Sequence, residues 1–232
     1  MIFEHSPAEQ QLLHWQQEGV HQLAVTCDQH YRYLWLNHQC QSQLLISDPG
    51  RICYPHLQWL FAQLPPHLPN LLQFGLGGGE FNRALAQRSP ATRLLTVESS
   101  AAVINLYQRY FQNATGAEQL HCQEAGAFLQ QAQQDPQQYA LIFVDLYPTP
   151  AEIADWLPQL FNILATDGHL WLNITEPSLV AAIQQQVTRA MATSTKHSPS
   201  DWLFKSIVLA DSNVCFSPLS KSNQRSAGRF AL

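Results

Sequence analysis

From Asn70 onward, short apolar runs alternate with amphipathic segments at the spacing of repeated strand–helix units. The apolar runs predict strands at 71–76, 93–98, 119–123, 139–145, 168–174, 202–210 and 213–218. The amphipathic segments predict helices at 80–88, 101–112, 125–134, 151–164 and 178–192. Parallel strands joined by right-handed helical crossovers form a doubly wound sheet. The sequence therefore predicts an α/β doubly wound fold with an antiparallel strand near its end.

The first 48 residues follow a different pattern. Apolar and polar side chains alternate over 21–29, 30–37 and 41–47, which predicts an antiparallel meander. The apolar residues of 7–19 lie among glutamines and predict one short helix. A meander of about 30 residues cannot form an independent core, so we expect it to pack on later segments of the chain. We predict a helix and meander in 1–48 and a doubly wound domain in 49–232, which begins with a helix at 54–64.

Composition excludes several classes of protein. The chain has 232 residues, of which 46% are hydrophobic and 12% charged, and its net charge is −5. A negative chain offers no long-range attraction to nucleic acid or anionic lipid, and no apolar stretch reaches the roughly 18 residues of a membrane span. Five cysteines without a C-x-x-C pair favour reduced thiols and a cytoplasmic protein. The ten histidines lack zinc-ligand spacing, so we expect no metal site.

A glycine-rich loop, Gly75-Leu76-Gly77-Gly78-Gly79-Glu80, joins the first predicted strand of the doubly wound domain to its helix. A backbone almost without side chains can approach a ligand closely. The loop departs from the G-x-G-x-x-G dinucleotide motif because Glu80 stands where the third glycine belongs. An acid there repels a pyrophosphate but attracts an ammonium group, which argues against a dinucleotide oxidoreductase. The alternative is a tight turn without a ligand.

Acidic residues follow the next three strands as well. Glu98 lies about 20 residues after the glycine loop, the distance at which an acid accepts hydrogen bonds from ribose hydroxyls. Glu124 and Asp145 end the following two strands. Because ligands bind at the carboxyl ends of parallel strands, we expect these acids and Glu80 to line one crevice. Helix capping is the alternative role for Glu98, Glu124 and Asp145. Without a Walker lysine, a positively charged nucleoside is favoured over a nucleoside triphosphate.

These motifs resemble the spermidine synthase-like family of the S-adenosylmethionine-dependent methyltransferase fold, a Rossmann-like fold. Leu76–Glu80 is similar to the G-G-G-D-G loop of that family, and Val97-Glu98-Ser99 to its V-E-I-D. Gln123-Glu124-Ala125 is similar to G-D-A or G-D-G, and Tyr139–Asp145 to Y-D-x-I-x-x-D. The residues before the loop carry the more specific part of the resemblance. Leu36–Ser42 is similar to L-D-G-x-x-Q followed by Ser or Thr, and Tyr54-Pro55-His56 falls where the family has Y-H-E or Y-Q-E.

The resemblance, over about residues 20 to 220, implies that S-adenosylmethionine or its decarboxylated form is the co-substrate. It implies that Glu98 binds the ribose and that Glu124 with Ala125 lies at the adenine end. It assigns the amino-acid part to the glycine loop, residues Gly75, Gly77, Gly78, Gly79 and Glu80. It also makes Gln41, Tyr54 and His56 candidates for binding the acceptor substrate. The alternative for Gln41 is an ordinary strand residue without a ligand, and the alternative for Tyr54 is packing under the loop.

Departures from the family pattern concern the acceptor. Aminopropyltransferases carry a second aspartate after the fourth strand, which deprotonates the attacking amine, but here the run is Asp145-Leu146-Tyr147-Pro148. Asp145 is kept and is our candidate catalytic residue. Tyr147 stands where the base belongs, and a phenol with a pKa near 10 is a poor base, so a pocket wall is the favoured role. His56 replaces the glutamate that binds a cationic polyamine.

We therefore predict a spermidine synthase-like transferase that moves a methyl or aminopropyl group to an unknown acceptor, with classical transfer to putrescine disfavoured. The alternative is a nucleoside-binding or interaction protein that has lost the chemistry. A homodimer through the N-terminal sheet is possible, since family members often form one.

Overall fold

The computed structural model describes residues 10–65, 68–113, 117–134, 136–174 and 176–194, together with the backbone of strands 202–208 and 214–220. The chain divides into two compact units, residues 1–125 and 126–232. Within the described ranges, no helix is long and apolar enough to cross a membrane.

Four antiparallel strands form the N-terminal sheet: β1 (Gln11–Glu18), β2 (His21–Cys27), β3 (Tyr31–Leu36) and β4 (Gln39–Leu45), which pair in chain order. The β3–β4 turn has positive φ at Asn37 and His38, and asparagine is among the residues that tolerate this region best. The predicted meander is confirmed.

The helix predicted within 7–19 is wrong where the structure describes it, because 11–18 forms β1. None of the eight β1 residues is fully buried, and Leu12 and Trp15 are exposed. An edge strand without a buried face lacks the alternation that identifies strands in a sequence. Its conformation depends on pairing with β2, from Gln11 opposite Cys27 to Glu18 opposite His21.

The rest of the first unit alternates helices with parallel strands. Its elements are α1 (Pro55–Gln63), β5 (Asn70–Phe74), α2 (Glu80–Arg88), β6 (Arg93–Glu98), α3 (Ala101–Tyr110) and β7 (Ala117–Cys122). Strand β6 pairs in parallel with both β5 and β7, so the glycine loop and Glu98 lie at the same end of neighbouring strands. Alternation of this kind is what the sequence predicts.

Apolar side chains of the N-terminal sheet share one core with later segments of the first unit. This core consists of Leu23, Val25, Leu34, Leu44, Leu76, Leu106, Tyr107 and Phe111. The first four belong to the sheet, and the others to the glycine loop, to α3 and to the residue directly after α3. The expectation that the meander depends on later segments is confirmed.

The second unit contains most of α4 (Ala125–Ala132) and all the remaining elements. These are β8 (Tyr139–Val144), α5 (Pro150–Ile163), β9 (Leu164–Ile174), a 3₁₀ turn (Pro177–Leu179), α6 (Val180–Thr193), β10 (Trp202–Val208) and β11 (Val214–Ser220). Strands β8 and β9 are parallel, whereas β11 is antiparallel to both β9 and β10. An antiparallel strand near the end of the sheet is confirmed.

Arg83 of α2 connects three segments of the first unit. Its side chain is 1% exposed and donates hydrogen bonds to the carbonyl oxygens of Pro49 (2.8 Å), Gln43 (3.0 Å) and Gly78. The guanidinium also lies 5.9 Å from the centre of the Phe111 ring. Arg83 therefore fixes the glycine loop relative to β4 and the turn after that strand.

We predict that Arg83→Met lowers the free energy of unfolding by about 3 kcal/mol or more, because three carbonyl oxygens lose a buried donor. Urea denaturation monitored by circular dichroism measures this change. Arg93→Met, at an exposed position on β6, is the matched control and should shift stability by less than about 0.5 kcal/mol. Similar small losses in both variants would contradict the connecting role of Arg83.

Candidate functional site

The glycine loop has a backbone that only glycine adopts without strain. Gly75, Gly77 and Gly79 have φ values of 91°, 52° and 64°, all in the left-handed region. The N–H of Gly79 donates to the carbonyl of Leu76 at 2.8 Å, which closes the turn from which α2 starts. Each of these three glycines is therefore required by conformation.

Two glycines of the loop face the protein and one faces open space. A Cβ on Gly78 would lie 2.6 Å from Ser42, and a Cβ on Gly79 would lie 2.1 Å from the Tyr107 ring. A Cβ on Gly77 would meet no described atom within 4 Å. The loop is thus packed from below by β4 and α3, and a ligand can approach its backbone at Gly77.

Glu98 contacts the loop directly. Its Oε2 accepts a hydrogen bond from the N–H of Leu76 at 3.0 Å, and its Oε1 accepts one from the N–H of Ser100 at 2.9 Å. The side chain is half-buried. Ser99 Oγ also donates to Oε1, at 3.5 Å. A carboxylate has about four acceptor positions, so these three bonds leave acceptor capacity at the edge of the loop.

Beneath the loop lies a hydrogen-bond network that sequence reasoning missed. The hydroxyl of Tyr107 contacts both carboxylate oxygens of Glu118 at 3.0 Å, and Glu118 also accepts from Asn82 and Gln112. Burial, with the nearby charge of Glu118, raises the pKa of Tyr107, so the phenol stays a neutral donor. No local motif links these residues, because they come from α2, from α3 with the segment after it, and from β7.

Glu124 and Ala125 follow Gln123, the first residue after β7, and so lie near the end of the strand that pairs with β6 and its Glu98. The N–H of Gln123 donates to the carbonyl of Glu98 at 3.0 Å, so the two strand ends are adjacent. Glu124 is exposed, whereas Ala125 is buried at the start of α4. An adenine-binding role for this pair stays a prediction.

Glu80 supports the segment that carries two predicted substrate residues. Its side chain is 4% exposed, and its Oε1 accepts hydrogen bonds from the N–H groups of Cys53 and Tyr54, the latter at 2.9 Å. The rings of Tyr54 and His56 lie 5.7 Å apart, and His56 is buried. The structure thus brings Glu80, Tyr54 and His56 together, with Glu80 turned to the backbone. Contact of Glu80 with a ligand ammonium group stays a prediction.

Gln41 lies at a β-bulge, between Cys40, which pairs with Trp35, and Ser42, which pairs with Leu34. A bulge changes the direction in which a side chain points, and bulges are frequent next to active sites. The hydroxyl of Tyr54 donates to the carbonyl of Cys40 at 3.3 Å, so Gln41 and Tyr54 belong to one neighbourhood.

Asp145 and Tyr147 belong to the second unit. Asp145 Oδ1 accepts a hydrogen bond from Nδ2 of Asn173 at 2.8 Å. Thr149 caps α5 in a reciprocal capping box with Glu152, and this accounts for the start of that helix without Asp145. Tyr147 is 70% exposed. Across the described part of the chain, no cluster of three or more metal-ligating side chains occurs.

Similarity to known proteins agrees with this geometry. A polyamine aminopropyltransferase of Vibrio vulnificus is 27% identical over 137 residues, which are 55% of this chain and 46% of that protein. The chain thus spans less than half the length of this curated relative. A probable spermidine synthase from Corynebacterium glutamicum superposes with a TM-score of 0.69 at 13% identity, over 89% of this chain and 79% of that one. The chain has a spermidine synthase-like fold.

This fold is a form of the S-adenosylmethionine-dependent methyltransferase fold, so the predicted Rossmann-like class is confirmed. Human methyltransferase-like protein 13, solved in complex with SAH, superposes with a TM-score of 0.60 at 16% identity, over 74% of this chain and 85% of that one. No protein-family model matches the sequence.

We predict that Gly79→Ala destabilises the protein more than Gly77→Ala. Both variants place alanine at positive φ, which costs roughly 1–2 kcal/mol, but only Gly79→Ala drives a methyl group into Tyr107, a clash of about 1–3 kcal/mol more. Thermal and urea unfolding of the two variants side by side measure the difference. Equal losses would mean that the Tyr107 ring does not support the loop.

Proposed function

We propose that this chain is a transferase that binds S-adenosylmethionine or decarboxylated S-adenosylmethionine and transfers a methyl or aminopropyl group to a small-molecule acceptor. The observation that carries the proposal is the pairing of Glu98 with the glycine loop. The carboxylate of Glu98 accepts a hydrogen bond from the N–H of Leu76 and has acceptor capacity left. Leu76 is next to Gly77, whose backbone faces open space.

The residues of the first unit fit a nucleoside with a cationic sulfur. Glu98 offers charge-assisted hydrogen bonds to two ribose hydroxyls, and the backbone at Gly77 permits close approach of the amino-acid or aminopropyl part. The exposed carboxylate of Glu124 comes after the neighbouring strand, where an adenine amino group would find an acceptor. Glu98 and Glu124 add negative charge that favours a sulfonium over a phosphate ester. The bound SAH of the human methyltransferase supports the same ligand class.

When bound, the sulfonium supplies an activated carbon: the acceptor's lone pair bonds to that carbon, the carbon–sulfur electrons pass to sulfur, and a neutral thioether leaves. For its part, this chain has to bind the nucleoside, orient the acceptor and exclude water. Asp145 is the proposed catalytic residue, since a fixed carboxylate can stabilise positive charge as it moves from sulfur to the acceptor. Its bond to Asn173 fixes that carboxylate.

Tyr147 is not proposed as a base. The protein around its hydroxyl and the negative charge of Asp145 raise the pKa of Tyr147, so the phenol stays protonated near neutral pH even though most of the residue is exposed. The acceptor must therefore lose its proton to water or arrive without one.

This missing base supports the second candidate, a nucleoside-binding protein without turnover. Both candidates require nucleoside binding, which calorimetry with both sulfonium nucleosides, methylthioadenosine and a nicotinamide dinucleotide tests. Binding of the dinucleotide alone would contradict both. Release of radiolabelled methyl or aminopropyl groups to acceptors then separates the transferase from the binding protein. The cytoplasmic location and the homodimer stay predictions.

We predict that Glu98→Ala weakens methylthioadenosine binding by about 1.5–3 kcal/mol, through lost charge-assisted hydrogen bonds to the ribose. Because Glu98 also supports Leu76 and Ser100, a thermodynamic cycle with the 2′-deoxy analogue isolates the ribose contribution. The wild-type protein should discriminate between the two nucleosides, and the variant should not. Equal discrimination by both proteins would show that Glu98 only supports the loop.

We predict that Asp145→Asn retains the fold and nucleoside affinity but lowers turnover at least about tenfold, or roughly 1.4 kcal/mol in transition-state stabilisation. Asparagine keeps an oxygen for the Asn173 bond, so the change removes charge rather than contact. Asp155→Asn, at an exposed position on α5, is the matched control and should leave turnover unchanged. A lower melting temperature with normal turnover would make Asp145 structural.

A further inference from the structure

A cavity of about 60 Å³ lies in the second unit, beside the loop after β8. Its lining includes four apolar side chains that are each 2% exposed, and these form the inner wall: Val144, Ile153, Leu172 and Ile183. The more exposed lining residues form the rim and include Leu146, Tyr147, Pro148 and Leu179. The run that departs from the family pattern therefore borders an apolar cavity.

The charged side chain among the described lining residues is a carboxylate. Glu176 is exposed and lines the cavity, and Asn173, which also lines it, bonds to the carboxylate of Asp145. None of the described lining residues is a lysine, an arginine or a histidine. An alkyl chain that ends in one ammonium group matches this pattern, with the charge at the rim and the chain inside.

A diamine does not match the inner wall. If one ammonium group lies at the rim, the second ammonium of an extended diamine would lie among the inner-wall side chains, none of which is a carboxylate. Burying an unpaired charge among apolar side chains is strongly unfavourable. A terminal methyl group in the same place gains from burial instead.

We propose that the acceptor is a primary monoamine whose short alkyl chain occupies this cavity. The proposal rests on the proposed function for the transfer itself, but the ligand class depends on the cavity lining alone. The cavity is smaller than the roughly 150 Å³ site that holds benzene in an engineered protein, so it takes a short alkyl chain and not a ring.

Pentylamine and putrescine are the decisive probes because they have the same length. Pentylamine ends in a methyl group, whereas putrescine has a second ammonium group in the same place. Each amine is titrated into the full chain at neutral pH, with and without saturating methylthioadenosine, and followed by calorimetry and amide NMR shifts. We expect affinity to rise about threefold to fourfold per methylene from propylamine to pentylamine. We expect putrescine to bind at least tenfold more weakly than pentylamine.

Leu179→Ala tests whether the chain lies in the cavity. The half-buried Leu179 lines it. Removing its side chain enlarges the cavity, so the affinity for heptylamine relative to pentylamine should rise at least threefold. Val180→Ala, at the neighbouring half-buried position outside the lining, is the matched control and should leave the preference unchanged.

Putrescine binding as tightly as pentylamine, or no amine binding in either condition, overturns the proposed acceptor class. Chain-length selectivity that Val180→Ala changes as much as Leu179→Ala overturns it too. The methylthioadenosine titration separately decides the proposed function. If the nucleoside fails to bind while the alkylamine pattern holds, the transferase assignment falls and the ligand class of the cavity stands.

Discussion

The candidate nucleoside site depends on the buried guanidinium of Arg83. Burial lowers the pKa of Arg83, and the negative charge of Glu80, one turn earlier on α2, opposes that shift. Carbonyl oxygens from β4, the turn after it and the glycine loop accept its hydrogen bonds. A cation in this position is stable only when each of these segments is in place, so the fold of the N-terminal sheet and the shape of the glycine loop are coupled.

Three carboxylates also support the glycine loop and its neighbours, and one of them, Glu98, is a proposed ligand-binding residue as well. Glu118 fixes Tyr107 under Gly79, while Glu80 fixes the backbone at Tyr54. Glu98 bonds to Leu76 while keeping acceptor capacity for a ligand. Because a fixed carboxylate loses little entropy when a hydroxyl binds, the loop and its acids would be preorganised for the proposed nucleoside.

Much of the fold could be predicted from the sequence because its central elements have strong patterns. Helix α2 has the predicted bounds, Glu80–Arg88, since it begins after the glycine loop and its first six residues are all buried. Strand β1 was not predictable, because its conformation comes from pairing with β2 and not from its own burial. The contacts of Arg83 and the network around Glu118 were missed for a related reason. Arg83 bonds to Gln43 and Pro49, and Asn82 bonds to Glu118, across 34 to 40 residues of sequence.

After β8, the family pattern applies to Asp145 but not to the three residues that follow it. The resemblance transfers Asp145 directly, and the capping box at Thr149 removes helix capping as a reason for that aspartate. The next residues depart from the pattern, and Leu146, Tyr147 and Pro148 border apolar space instead of supplying a carboxylate. The apolar wall concerns the end of the acceptor away from the attacking amine, where a polyamine carries a further ammonium group and a monoamine carries none. This change is consistent with a change of substrate, whereas the attacking amine of a monoamine still has to lose its proton to water.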